Sequence, residues 1–208
     1  MPRTVHLFVY DTLADWEPGY AVAGINNPEH QTQPGRYRVR TVGRDRTPVT
    51  TAGGVTILPD MGVAELDPAE SAMLIIPGGF AWDHGDVAGV GDVARAFMAA
   101  GVPVAAICGA TSGLARAGLL DDVAHTSNAA EYLQATGYGG AAHYRDEPVV
   151  CDGNLITAPG TAPLEFAREI FRVLELYEPR VLDAWYALFK TGDASHFYAL
   201  GAEAEQPA

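Results

Sequence analysis

Short apolar runs of strand length alternate with longer stretches of helical periodicity along nearly the whole chain. VHLFVY (Val5–Tyr10), rich in β-branched and aromatic residues and followed by Asp11, predicts a first strand. Asp15–Ile25 then predicts a helix, with Trp16, Tyr20, Ala23 and Gly24 on one side. Arg36–Val42 alternates basic and apolar residues, the pattern of a strand with one wet face, and Val55–Asp60 is a further short strand ended by proline. MLIIPGG (Met73–Gly79) is apolar at consecutive positions, as a strand buried on both faces must be, and stops in a Pro-Gly-Gly turn.

The alternation continues to the C-terminus. Val90–Ala100 reads as a helix closed by Gly101, and Val102–Cys108 as a second strand buried on both faces, running straight into a helix start at GATSGLARAG. Val123–Ser127 is extended, and Asp152-Gly153 marks a hairpin between two extended runs. Pro163–Tyr177 places Leu164, Ala167, Ile170, Phe171 and Leu174 on one helical face. An aromatic helix pair follows around Trp185–Phe189 and His196–Leu200. Strands alternating with helices at this spacing predict one α/β domain over residues 1–208, mainly parallel and covered on both faces. Residues 178–200 form a helical extension and 201–208 a frayed tail.

Composition narrows the function classes. Thirteen basic against 26 acidic residues give a formal charge of −13, which opposes binding to nucleic acid or to an anionic membrane. Hydrophobic residues at 48% supply a sizeable core. The start is too short for a signal-peptide core, and the uncharged stretch Ala96–Ala115 carries too many glycine, proline and hydroxyl residues for a spanning helix. With two unpaired-looking cysteines, the expected compartment is a reducing cytoplasm. Six histidines show no metal-ligand spacing, and no glycine pattern matches a dinucleotide or ATP loop, so neither metal nor cofactor is expected.

Cys108 is the candidate for chemistry. It stands where a buried strand turns directly into a glycine-bearing helix, the arrangement of a nucleophile elbow at the carboxyl edge of a parallel sheet. Helix N–H groups there favour a thiolate and predict a lowered pKa. The plainer reading is a small buried cysteine at a strand end. For Cys151, in the VVCDGN hairpin, that plainer reading is preferred.

AICGATSGLARAGLL, with LIIPGG upstream and DGNLITAPGTAPLEFA downstream, closely resembles the ThiJ/PfpI superfamily over about Val5–Tyr177. That superfamily includes intracellular protease-like enzymes and the parkinsonism-associated deglycase, and shares its core with class I glutamine amidotransferases. The resemblance implies a flavodoxin-like three-layer sandwich with a reactive cysteine at Cys108. It also implies that Glu17, in LADWEPGY, hydrogen-bonds the sulfur, where the residue alone reads as a solvated first-turn carboxylate. Gly79 and Gly109 match the backbone N–H pair that binds an oxyanion.

Two departures stand out. The protease-like branch has histidine after the cysteine where this chain has Gly109, and the deglycase branch often has histidine where HTSN puts Asn128. A cysteine hydrolase needs a base within ~2.6–3.2 Å, so the departures weigh against peptidase activity. His84 is the first replacement considered and His125 the second. The expectation is a cysteine-nucleophile hydrolase or deglycase acting on a small-molecule or peptide electrophile. The alternative is a stress-response redox sensor acting through oxidation of Cys108. A homodimer is expected, with the apolar stripe Val181, Leu182, Trp185, Tyr186 and Phe189 near its interface. The plainer reading of that stripe, which carries slightly more weight, is packing back onto the chain's own sheet.

Overall fold

Along the central strands, successive side chains enter two different cores, as a period of two requires. Met73 and Ile75 pack on one side of the sheet and Leu74 and Ile76 on the other; Ala105 and Ile107 oppose Val104 and Ala106 in the same way. The structure, a computed structural model, describes residues 2–85, 87 and 89–204.

In chain order the elements are β1 (Arg3–Phe8), α1 (Gly19–Asn26), β2 (Tyr37–Gly43), β3 (Val49–Thr50), β4 (Thr56–Ile57), β5 (Met61–Gly62), β6 (Ser71–Ile76), α2 (Val90–Ala99), β7 (Val104–Ile107), α3 (Gly109–Arg116), α4 (Ala130–Gln134), β8 (Val150–Asp152), β9 (Leu155–Ala158), α5 (Pro163–Val173), α6 (Pro179–Thr191) and α7 (Ala194–Ala204). The main sheet has seven strands in the order β5-β2-β1-β6-β7-β9-β8. All pairings are parallel except β8 with β9. One core holds Ala21 and Ile25 of α1, Phe166, Ile170 and Phe171 of α5 and Val181 and Leu182 of α6. The other holds Phe97 of α2, Leu114 of α3 and Leu133 of α4. This is the expected flavodoxin-like α/β sandwich with helices added at the C-terminus. Among the described residues no helix is long and apolar enough to cross a membrane. The stretch Ala96–Ala115 is divided among α2, β7 and α3.

Several elements differ from expectation for local reasons. The first helix starts at Gly19 rather than Asp15. Pro18 holds the residue before it out of helical geometry, so Asp15–Glu17 form a turn. The expected strand at Val55–Asp60 contributes only β4, which pairs with β3 in a separate two-stranded flap. Val123–Ser127 makes a single bridge, His125 to Tyr144. The helix at Pro163 ends at Val173, and Glu175 takes φ 50, reversing the chain before α6. α7 runs to Ala204, four residues into the expected tail, and residues 205–208 lie outside the described residues.

The aromatic stripe of α6 packs largely on the chain's own helices. Trp185 meets Phe171 edge-on at 5.0 Å and Phe189 meets Tyr20 at 5.3 Å, while Phe189, Phe197 and Tyr198 keep more than half of their surface exposed. A polar clamp fixes the same packing. Glu165 of α5 accepts hydrogen bonds from Tyr186 (2.9 Å) and from Lys190 (2.6 Å), the only lysine in the chain.

Candidate active site

Four parallel strands end at one edge of the sheet. β1 leads to the loop bearing Glu17, β6 to Pro77-Gly78-Gly79, β7 to Cys108 and β9 to Pro159-Gly160. Loops beyond the carboxyl ends of parallel strands are where such sheets place their sites.

Cys108 has φ 58 and ψ −126, a strained conformation for a residue with a Cβ. The surroundings hold it there. Its N–H donates to the Ala158 carbonyl at 2.9 Å, and its carbonyl accepts from the Thr111 hydroxyl at 2.6 Å. The sharp strand-to-helix turn lifts the side chain above the sheet, as an elbow does. Two glycines make room for it. A Cβ on Gly78 would lie 2.6 Å from the Cys108 Cβ, and one on Gly160 2.8 Å from its Sγ. Gly78 and Gly160 were not among the expected site residues, although both stand in the motifs that suggested the site.

Glu17 reaches this sulfur from the opposite wall. It is 1% exposed, so the reading as a solvated helix carboxylate does not hold. Its Oε2 accepts the Gly78 N–H at 2.5 Å, and its carboxyl is hydrogen-bonded to the Cys108 thiol. Burial pushes Glu17 up to about 7, against the pull of those two hydrogen bonds. Burial and the Glu17 charge push Cys108 up to about 11. The thiol pKa is therefore raised, not lowered as the helix start alone predicted. Asn128 and the Gly109 N–H pull it back only in part. Desolvation outweighs the helix N-terminus here, and the two acids titrate as a pair.

The third partner is Asn128. Its Nδ2 donates to Sγ at 3.4 Å, while its Oδ1 accepts the Gly160 N–H at 2.8 Å, which fixes the amide's orientation. Gly79 and Gly109, the expected oxyanion pair, both line the cavity over Cys108. Tyr10 braces the turn before Gly79: its hydroxyl donates to the Pro77 carbonyl at 2.9 Å and accepts from Trp82 Nε1 at 2.7 Å.

Neither histidine considered as a base is brought to the sulfur. Residues 80–84 form a 3-10 turn, in which positions three apart share a face. Phe80 and Asp83 line the Cys108 cavity, Trp82 is buried in the core, and Ala81 and His84 line a separate cleft beside Tyr10 and Arg44. His125 is buried with both ring nitrogens engaged, Nδ1 with the Val123 carbonyl at 2.8 Å and Nε2 with the Tyr138 hydroxyl at 3.0 Å. Burial lowers its pKa. It is a satisfied core histidine.

The cavity encloses about 180 Å³ and is also lined by Thr12, Ala14, Trp16, Ala52 and Tyr132. Among the described residues no cluster of three or more His, Cys, Asp and Glu side chains is placed to hold a metal ion.

A parallel α/β sandwich with a strained cysteine at the carboxyl edge, facing a buried glutamate, defines a cysteine-elbow protein of the ThiJ/PfpI type. Residues 3–173 match the model of the DJ-1/PfpI family, and the chain belongs to that family. It is 39% identical over 205 residues to the "uncharacterized protease YoaZ" of Bacillus subtilis, covering 95% of this chain and 96% of that protein. Identity to a second B. subtilis protein, the "uncharacterized protease YdeA", is 32% over 179 residues, covering 84% of this chain and 85% of that one. A solved thiJ/pfpI family protein from Bacillus anthracis superposes with a TM-score of 0.90 at 37% identity, with 97% of each chain covered.

Proposed function

We propose that this protein is a cysteine-nucleophile enzyme of hydrolase or deglycase type acting on a small carbonyl or amide electrophile. The observation that carries the reading is the pairing of a strained, lifted Cys108 with a buried Glu17. In the proposed cycle the thiol proton passes to Glu17, and the thiolate adds to the electrophilic carbon. The Gly79 and Gly109 N–H groups donate to the oxyanion, and Glu17 returns the proton to the leaving group, which departs and leaves a Cys108 thioester. Water, giving a proton to Glu17, then attacks that thioester, releases the carboxylic acid and restores the thiol. A carboxylic acid held near neutrality suits both directions of that transfer. The protease-named relatives favour the hydrolytic side, and the small cavity favours a small reacting group over a peptide backbone.

A second reading is favoured by one observation: the described cavity lining contains no histidine. A redox sensor needs none. There the Cys108 thiolate attacks a peroxide oxygen, giving sulfenic acid and releasing water or alcohol, and Glu17 donates a hydrogen bond to the product. Either role is proposed for a homodimer, a reading that the exposed Phe189, Phe197 and Tyr198 support.

Turnover assays separate the two. A panel of small amides, α-oxoaldehydes and their amine adducts is offered to wild type, Cys108→Ser and Glu17→Gln. The enzyme reading expects turnover by wild type alone. Its failure is no turnover of any substrate together with stoichiometric, peroxide-driven mass gain on Cys108.

A further inference from the structure

The walls of the Cys108 cavity are unequal in charge. Glu17 lies at the sulfur and Asp83 lines the cavity from the turn that carries Phe80, whereas no arginine, lysine or histidine lines it among the described residues. Arg116, on the helix that begins at Cys108, is turned elsewhere: its Nη1 donates to the Trp82 carbonyl at 3.2 Å and to the Ser112 hydroxyl at 2.9 Å. Two aromatic side chains stand at the open side, Trp16 at 58% and Phe80 at 64% exposed. At about 180 Å³ the cavity is smaller than the ~300–1,000 Å³ of ordinary small-molecule sites. It admits a reacting group and little more, so the rest of a ligand must extend past Trp16, Phe80 and Asp83.

We infer that the mouth selects electrophiles whose distal part carries a positively charged nitrogen group and rejects those carrying a carboxylate or another anion. The inference rests on the reading of Cys108 as the reacting atom. The physical argument separates two charges. Negative charge that develops at the reacting carbonyl oxygen meets the Gly79 and Gly109 N–H groups, deep in the cavity. A resting charge at the mouth meets Asp83 and two aromatic faces, which attract cations. An anion there loses water and gains no cationic partner. The field of the whole chain, at −13, acts in the same sense over a longer range.

Thiol probes that differ only in charge test this. The intact protein is treated with methyl methanethiosulfonate, with its trimethylammonium-ethyl analogue and with its sulfonatoethyl analogue. Modification of Cys108 is followed by peptide mass, and each rate is divided by that of N-acetylcysteinamide. The cationic reagent is expected to exceed the anionic one by roughly tenfold or more at Cys108, the lower end of what charged clefts do to association rates. Asp83→Asn, at an exposed position, is expected to remove at least half of that preference. Equal rates, or a preference that Asp83→Asn leaves unchanged, overturn the inference while the nucleophile reading stands. Failure of the neutral reagent to modify Cys108 takes both down.

Discussion

Asn128 is tied at both ends of its amide, Nδ2 to the Cys108 sulfur at 3.4 Å and Oδ1 to the Gly160 N–H at 2.8 Å. The residue thus couples the nucleophile to the loop after β9. Asn128→Ala deletes a donor to sulfur and frees a backbone N–H. The thiol pKa should rise further, iodoacetamide labelling of Cys108 at neutral pH should slow several-fold, and stability should fall by about 1 kcal/mol. Unchanged labelling would remove Asn128 from the site.

Gly160→Ala puts a methyl group where only 2.8 Å separates it from Sγ and 3.3 Å from Glu17 Oε1. The expected outcome is loss of Cys108 reactivity with native far-ultraviolet circular dichroism and a stability cost of about 1–3 kcal/mol, the range for overpacking. A reactive Gly160→Ala variant would show that the sulfur and carboxylate have room to part.

The coupled acids predict a distinctive titration. Glu17 rises to about 7 and Cys108 to about 11, so the pair loses its first proton near neutrality and its second far above it. The first proton belongs mainly to Glu17, so ultraviolet thiolate absorbance should stay low through pH 7 and rise only well above the ordinary thiol range. In Glu17→Gln, which removes the charge that opposes the thiolate, the thiol titration should move to lower pH. A wild-type profile with a single inflection in the ordinary thiol range would refute the pairing.

Glu17 also carries a stability cost with a definite sign. Its folded pKa of about 7 lies above the ordinary carboxylate value of 4.5, so the folded state binds more protons between these values and loses stability as pH rises through them. The full cost above neutrality is roughly 3 kcal/mol. His6 works oppositely: burial lowers it from 6.5 to about 4, so stability is lost as pH falls through that window. Wild type should therefore be nearly flat between pH 4.5 and 6.5, as the two slopes oppose. Glu17→Gln should expose the rising slope of His6 and be the more stable protein at pH 8, as read from urea midpoints. A variant less stable than wild type at pH 8 would contradict the burial argument.

Light scattering should give twice the chain mass. Because α6 contributes Val181 and Leu182 to the core, deleting everything after Tyr177 would damage the fold itself. The exposed Phe197 and Tyr198 are the better probes, and replacing both with serine should weaken the dimer if α7 lies in its interface. A monomer at all concentrations would rule the dimer out.

Much of this architecture was legible in local pattern. The short apolar runs Met73–Ile76 and Val104–Ile107, bounded by Pro77-Gly78-Gly79 and by Gly101 and Pro103, have the length and flanks of strands covered on both sides, and Cys108 follows the second without a spacer. Glu17 was a different case. Pro18 marks where a helix cannot begin, but the folding of that turn over Gly78, 61 residues away in sequence, has no local signature. Only resemblance pointed to it. His84 lies five residues after Gly79 in sequence, yet it faces a different cleft from the sulfur. The three-residue repeat of the 80–84 turn sends Asp83 to the cavity and His84 to the other side. Asn128 has neither periodicity nor charge to mark it, and its role emerges when β7 and β9 bring its partners together.

The Glu165–Lys190 clamp bears on the protein's own chemical durability. Lys190 supplies the chain's only side-chain amine, and Glu165 holds it protonated by raising its pKa. Free amines, not ammonium ions, add to reactive carbonyl compounds. With a single lysine, paired to a carboxylate, the chain thus offers such compounds almost none of the side-chain amines at which lysine-rich proteins are modified.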